Sequence, residues 1–190
     1  VVIFSVKDIA LVDSGDPDHV DRWRRRAIDA SIKQLNGAER WMQQANRVVQ
    51  ADGSVGVALP PLTIRRTHRI AVACGSRASL SISSGFEKGR FTHVFTENDL
   101  MVDLEELDTI TDFVGYLAAK ETFLGGGAGI VLDGSESDLL ALYLSQGRSF
   151  PDGPDMLFVG KGCWNSLQED ATFIARKAAD AESYDWDHLI

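Results

Sequence analysis

Cysteine is scarce in this chain. Only Cys74 and Cys163 occur among 190 residues, far apart and each beside a glycine. That is too few for a disulfide scaffold or a cysteine-built zinc site. No apolar run approaches the roughly 18 residues that a membrane helix requires, and the opening residues do not read as a signal peptide. These absences set the expectation of a reduced, cytoplasmic protein with no membrane partner. Internal repeats and low-complexity tracts are also missing. What is present is 44% hydrophobic residues, enough for a sizeable core.

The chain has no overall excess of positive charge; its formal net charge is −9. That total conceals an asymmetry. Residues 22–90 hold 13 Lys+Arg against 4 Asp+Glu, whereas residues 1–21 hold 1 against 5 and residues 91–190 hold 5 against 19. A basic segment inside an acidic chain points to a polyanion-binding face, or to two halves that neutralise one another across the fold.

Periodicity supplies the elements. Val1–Ile9 reads as a strand, and DSGDPDH (Asp13–His19) as a loop rich in turn residues. From Asp18 to Val49 apolar residues recur at helical spacing. SVGVALPPL reads as a short strand stopped by Pro60 and Pro61. His68–Cys74 and Thr92–Thr96 are strands, with a Ser/Gly-rich surface excursion between them. Val102–Leu124 has helical spacing, and GGGAG (Gly125–Gly129) breaks the chain. After it come a strand (GIVLDG), a helix opened by the Ser135…Asp138 capping pattern, a strand at Asp155–Val159 and a helix at Asn165–Ala181. The expected fold is α/β, with a small mixed β-sheet flanked by helices in a core over 1–124 and a C-terminal α/β extension over 125–190.

Two features of the first segment bear on function. Strand alternation puts Ser5 and Lys7 on one face and Phe4, Val6 and Asp8 on the other. A lysine at the inner end of an apolar strand must snorkel to water or meet an anion. On the helix that follows, Arg26, Lys33, Arg40 and Arg47 are spaced by seven, with Arg22 one turn before Arg26. Seven residues fall about 20° short of two turns, so these cations share one face. Asp29 is the one acid near the first half of the stripe.

IFSVK, then a loop, then a long helix bearing SIKQLNGAERW resembles the PD-(D/E)XK nuclease superfamily, in particular its nuclease-related-domain-like branches. The resemblance covers residues 1–75. It implies a restriction-endonuclease-like sheet and Mg²⁺-dependent phosphodiester hydrolysis of nucleic acid, DNA before RNA. Lys7 would be the motif lysine at the scissile phosphate, with Lys33 and Gln34 as the helical contributors. Ser5 stands where the motif has a carboxylate, and the preceding Asp of the motif would lie upstream of Val1. Asp29 is then the candidate metal ligand, since Mg²⁺ needs hard oxygen ligands. Arg22, Arg26, Arg40, Arg47, Arg65 and Arg66 are the candidate contacts to the phosphate backbone. The alternative is a nuclease-like module without a working metal site that binds nucleic acid, a protein partner or a second copy of itself, as in a defence or repair assembly.

Other motifs have simpler uses. DGSESD (Asp133–Asp138) concentrates acids, yet Ser135 and Asp138 already serve a helix start. GGGAG lacks the GK[ST] of a phosphate loop and reads as a connector. His68 stands with Arg65, Arg66 and Arg69 in RRTHR, a second basic cluster at a strand entrance.

Overall fold

The computed structural model describes residues 1–11, 17–75, 84–126, 129–152 and 156–187. Most of the loop expected at Asp13–His19, the first half of the Ser/Gly-rich excursion and the centre of GGGAG lie outside these residues. The chain divides into two units, Val1–Glu121 and Thr122–Ile190.

The first unit contains, in order, β1 (Val2–Asp8), α1 (Pro17–Arg24), a π-helical turn (Arg25–Asp29) and α2 (Ala30–Gln44). The hairpin β2 (Arg47–Val49) and β3 (Val55–Ala58) follows. Then come β4 (His68–Cys74), β5 (Gly85–Glu87), β6 (Arg90–Thr96), α3 (Glu97–Glu106) and α4 (Ile110–Gly125), with the division of the chain inside the last turns of α4. The sheet order is β1-β4-β6-β5. β1, β4 and β6 are parallel, and β5 is antiparallel at the edge. The result is a small mixed sheet with helices against it. β4 is its central strand, and only Cys74 of its seven residues escapes full burial, the near-continuous burial of an inner parallel strand.

Register assigns the two faces. Ile3 pairs with Arg69, Ser5 with Ala71 and Lys7 with Ala73, and Ala71 pairs with Val94. This face meets the first helix pair through a core of Trp23, Ala27, Ile28, Leu35, Ala71, Ala73 and Val94. The opposite face carries His68, Ile70 and Val72 of β4 beside His93 and Phe95 of β6. On edge strand β1 that second face leaves Phe4 47% and Val6 58% exposed.

The buried positions Trp23, Ala27, Ser31 and Leu35 are four residues apart. An unbroken α-helix would turn each one about 40° past the last. The wider π turn at Arg25–Asp29 takes up part of that drift and keeps the row on the sheet. Trp23 Nε1 donates to the Ile9 carbonyl at 2.7 Å, fixing the helix to the end of β1. Gly75, at φ +80°, turns the chain out of β4 so tightly that a Cβ there would come within 2.7 Å of the Ile9 oxygen, a position only glycine accepts without strain.

Two expectations for helices are corrected. The helix expected to reach Val49 ends at Gln44, and Arg47–Val49 is a strand. Ala45 is extended, and the Arg65 guanidinium donates to the Met42 and Ala45 carbonyls that the helix end leaves unpaired. The single helix expected over Val102–Leu124 is two helices. Thr96 accepts from the Asp99 N–H and Thr109 from the Asp112 N–H, so each helix has its own cap.

The second unit pairs β7 (Gly129–Leu132) in parallel with β8 (Met156–Val159). It also contains α5 (Glu136–Ser145), α6 (Cys163–Gln168) and α7 (Ala171–Asp187). The helix expected at Asn165–Ala181 is thus divided, and Asp170 caps its second part by accepting from the Phe173 N–H. The DGSESD acids form a capping box: Asp138 accepts from the Ser135 N–H at 2.8 Å, and Ser135 accepts from the Asp138 N–H. Asp138 also accepts from the Trp164 N–H at 3.0 Å, joining α5 to α6. Asp138→Ala is expected to destabilise this unit by about 2–3 kcal/mol, because a cap is lost and a buried N–H loses its acceptor. Urea unfolding of the two proteins measures the difference.

Candidate functional site

The residues singled out in the first segment are only partly brought together. Ser5 is buried, and its hydroxyl donates to the Gln34 side-chain carbonyl at 2.8 Å. Lys7 lies two residues along the same strand face, half-buried, and forms no ion pair among the described residues. Lys33 is exposed on the adjoining turn of α2, and Asp29 is half-buried at the end of the π turn. Among the described residues, no hydrogen bond or ion pair joins Asp29 to Ser5 or Lys7.

The arginines divide by role. Arg22, Arg24, Arg25, Arg26 and Arg40 are exposed along α1, the π turn and α2. The Nε groups of Arg22 and Arg25 donate to the Asp18 and Asp21 carbonyls, which anchors their side chains along the helix. Arg47 does not extend this row, because it belongs to β2. Arg65 is committed to the carbonyls of Pro60, Met42 and Ala45, whereas Arg66 is exposed. Arg69, on β4, is buried and donates to the Phe91 carbonyl and to Asn36. Glu39 stands 3.6 Å from it and 3.4 Å from Arg90.

A second cluster lies on the other face of the sheet. His68 opens β4, and His93 sits in β6 opposite Ile70, so the two imidazoles occupy the same face of neighbouring strands two residues out of step. Glu121 of α4 reaches both. Its Oε1 lies 3.0 Å from His68 Nδ1 and 3.0 Å from His93 Nε2. The histidine side chains are 2% and 0% exposed, and that of Glu121 is 30% exposed. Beside them the Lys120 ammonium lies 4.6 Å from the centre of the Phe95 ring.

Charge follows from this geometry. Burial holds the His93 imidazole down to about 4, against the opposing hydrogen bond to Glu121, so the ring is neutral near pH 7. Burial alone would raise the Glu121 carboxyl, but the hydrogen bonds from His68 and His93 outweigh it and hold the group at about 2. An ionised carboxylate only accepts, so both ring nitrogens that face it carry protons. The remote nitrogens, His68 Nε2 and His93 Nδ1, are buried and have no hydrogen-bond partner among the described residues. Among the described residues, His68, His93 and Glu121 are the one group of three side chains placed to hold a metal ion.

Comparison with known protein families, curated proteins and solved structures returned no match. In the sequence His68 stands among the basic residues of RRTHR, whereas His93 and Glu121 belong to no motif. A histidine near the start of each of two strand-forming runs, HRIAVAC and THVFT, followed by a Lys-Glu pair inside a largely apolar helical run, is the signal the sequence offers.

Proposed function

We propose that the Val1–Glu121 unit is a nuclease-like module, built on a restriction-endonuclease-like sheet, that binds nucleic acid through the outer face of α1 and α2. The observation that carries this reading is the exposure of Arg22, Arg24, Arg25, Arg26, Lys33 and Arg40 along one continuous helical rod. Glu39, on the same rod, is engaged by Arg69 and Arg90, so the acids left beside the row are Asp18, Asp21 and Asp29. Such a row fits the regular negative charge of a phosphate backbone without reading its sequence.

Hydrolysis is the second reading, favoured by the meeting of Ser5 and Gln34 on the strand face that carries Lys7. Mg²⁺ requires hard oxygen ligands, and the Ser5 hydroxyl is turned to Gln34. Binding without cleavage therefore fits this arrangement better.

The test is fluorescence anisotropy of labelled single- and double-stranded DNA and RNA across a salt series, with a Mg²⁺ and Mn²⁺ cleavage assay beside it. Log affinity is expected to fall linearly with log salt. Replacing Arg22, Arg25 and Arg26 together by glutamine is expected to flatten that slope on duplex DNA by about 2–3. Absence of salt-dependent binding would overturn the proposal. Metal-dependent cleavage that disappears in Lys7→Ala would replace it with the hydrolytic reading.

A further inference from the structure

The nucleic-acid reading leaves the buried cluster on the opposite face of the sheet unused, and this cluster has a chemistry of its own. We propose that His68, His93 and Glu121 form a binding site for one divalent transition-metal ion of the zinc class. Two imidazole nitrogens and a carboxylate oxygen converge from three separate elements, and the ligating atoms all lie within 4.8 Å of one another. Two neutral nitrogen ligands with one carboxylate suit Zn²⁺, Co²⁺ or Fe²⁺, whereas Mg²⁺ and Ca²⁺ prefer oxygen throughout.

The spacing is close to what an ion requires. A tetrahedral ion with bonds of about 2.0–2.1 Å holds its ligands roughly 3.3 Å apart, and each N···O separation here is 3.0 Å. The remaining separation, between the two ring nitrogens, is no more than 4.8 Å and has to close toward roughly 3.3 Å for the three atoms to share one centre. For binding, the nitrogens that face Glu121 must give up their hydrogens, so that the lone pairs of His68 Nδ1 and His93 Nε2 face the ion while Glu121 supplies the negative charge.

The same geometry limits the affinity. With the ion bound, His68 Nε2 and His93 Nδ1 would carry hydrogens, and neither has a partner among the described residues. Metal sites whose histidines lack such outer hydrogen bonds bind about 10–100-fold more weakly. Three protein ligands also leave a coordination position open, and Glu121 is the one partly exposed side chain of the three.

The experiment uses the full chain without an affinity tag, stripped of metal by chelation. Co²⁺ is titrated while its visible ligand-field bands are followed, Zn²⁺ is titrated by calorimetry, and Mg²⁺ serves as the control. One Zn²⁺ per chain is expected, with Co²⁺ bands that Zn²⁺ abolishes and no response to Mg²⁺. Glu121→Gln and His93→Gln, checked for folding by circular dichroism, are expected to weaken Zn²⁺ binding at least tenfold. Failure of the wild-type chain to bind Zn²⁺ or Co²⁺ stoichiometrically would overturn the site, as would undiminished binding in folded variants. If the variants do not fold, the wild-type histidine ring resonances decide. Two buried imidazoles must move on addition of one equivalent of Zn²⁺, and unmoved resonances would refute the assignment.

Discussion

Glu121→Leu is expected to destabilise the metal-free protein by about 3–5 kcal/mol, because two buried imidazole N–H groups lose a charged acceptor at once. Each such bond contributes about 1.5–3 kcal/mol, and the remaining exposure of Glu121 places the sum below the upper end. Glu121→Gln retains an acceptor oxygen and is expected to cost less than half as much. Equilibrium urea unfolding in the presence of chelator compares the three proteins. Equal costs for the two substitutions would mean that the negative charge, not acceptance of the hydrogen bonds, stabilises the histidines.

The same cluster gives the metal-free protein a defined sensitivity to acid. His93 lies at about 4 in the fold, below its ordinary 6.5, so the unfolded chain takes up a proton that the folded chain refuses. Its contribution is complete above pH 6.5 and is lost as pH falls toward 4. Glu121 is held at about 2, below its ordinary 4.5. Its contribution is complete above 4.5 and is lost as pH falls toward 2. Stability of the wild type should therefore decline in two stages on acidification, and Glu121→Leu should remove the lower stage.

Glu39→Leu is the other substitution with a large expected effect. Arg69 is buried between β4 and α2, and burial pushes its guanidinium below the ordinary value while Glu39 opposes that shift. Removal of Glu39 leaves a buried cation whose remaining hydrogen bonds among the described residues go to the Phe91 carbonyl and Asn36. A loss of about 3 kcal/mol is expected, since breaking one side of a buried pair strands the other charge. Arg90→Ala removes the half-exposed partner of Glu39 and should cost no more than about 1 kcal/mol. The double variant Arg69→Met/Glu39→Leu should recover part of the loss, because neither charge is then left alone. Thermal unfolding of the wild type, Arg69→Met, Glu39→Leu and the double variant measures the coupling, with Arg90→Ala beside them, and additive losses would exclude an ion pair between Arg69 and Glu39.

Much of the local structure was legible in the chain because burial leaves a periodic trace. The apolar run HRIAVAC gave the central strand with its observed ends, and VVIFSVK gave the strand beside it. The S-x-x-D pattern at Ser135 gave the start of α5. The same chemistry in TEND and TITD marks α3 and α4, but the apolar spacing that continues across LDT concealed the break between them. The end of α2 was harder to see, since the group that satisfies its last carbonyls is Arg65, some twenty residues further on.

Sequence by itself determined which segments bury an apolar face, where several helices begin and how charge is distributed between the halves, because each depends on residues a few positions apart. Only the tertiary structure decided that Ser5 meets Gln34, that Arg65 closes a helix end, and that His68 and His93 converge on Glu121 from 53 and 28 residues away. Those contacts depend on the parallel register of β4 with β6 and on where α4 crosses the sheet. Periodicity shows that a polar side chain is buried, and the packing of distant elements selects the group it faces.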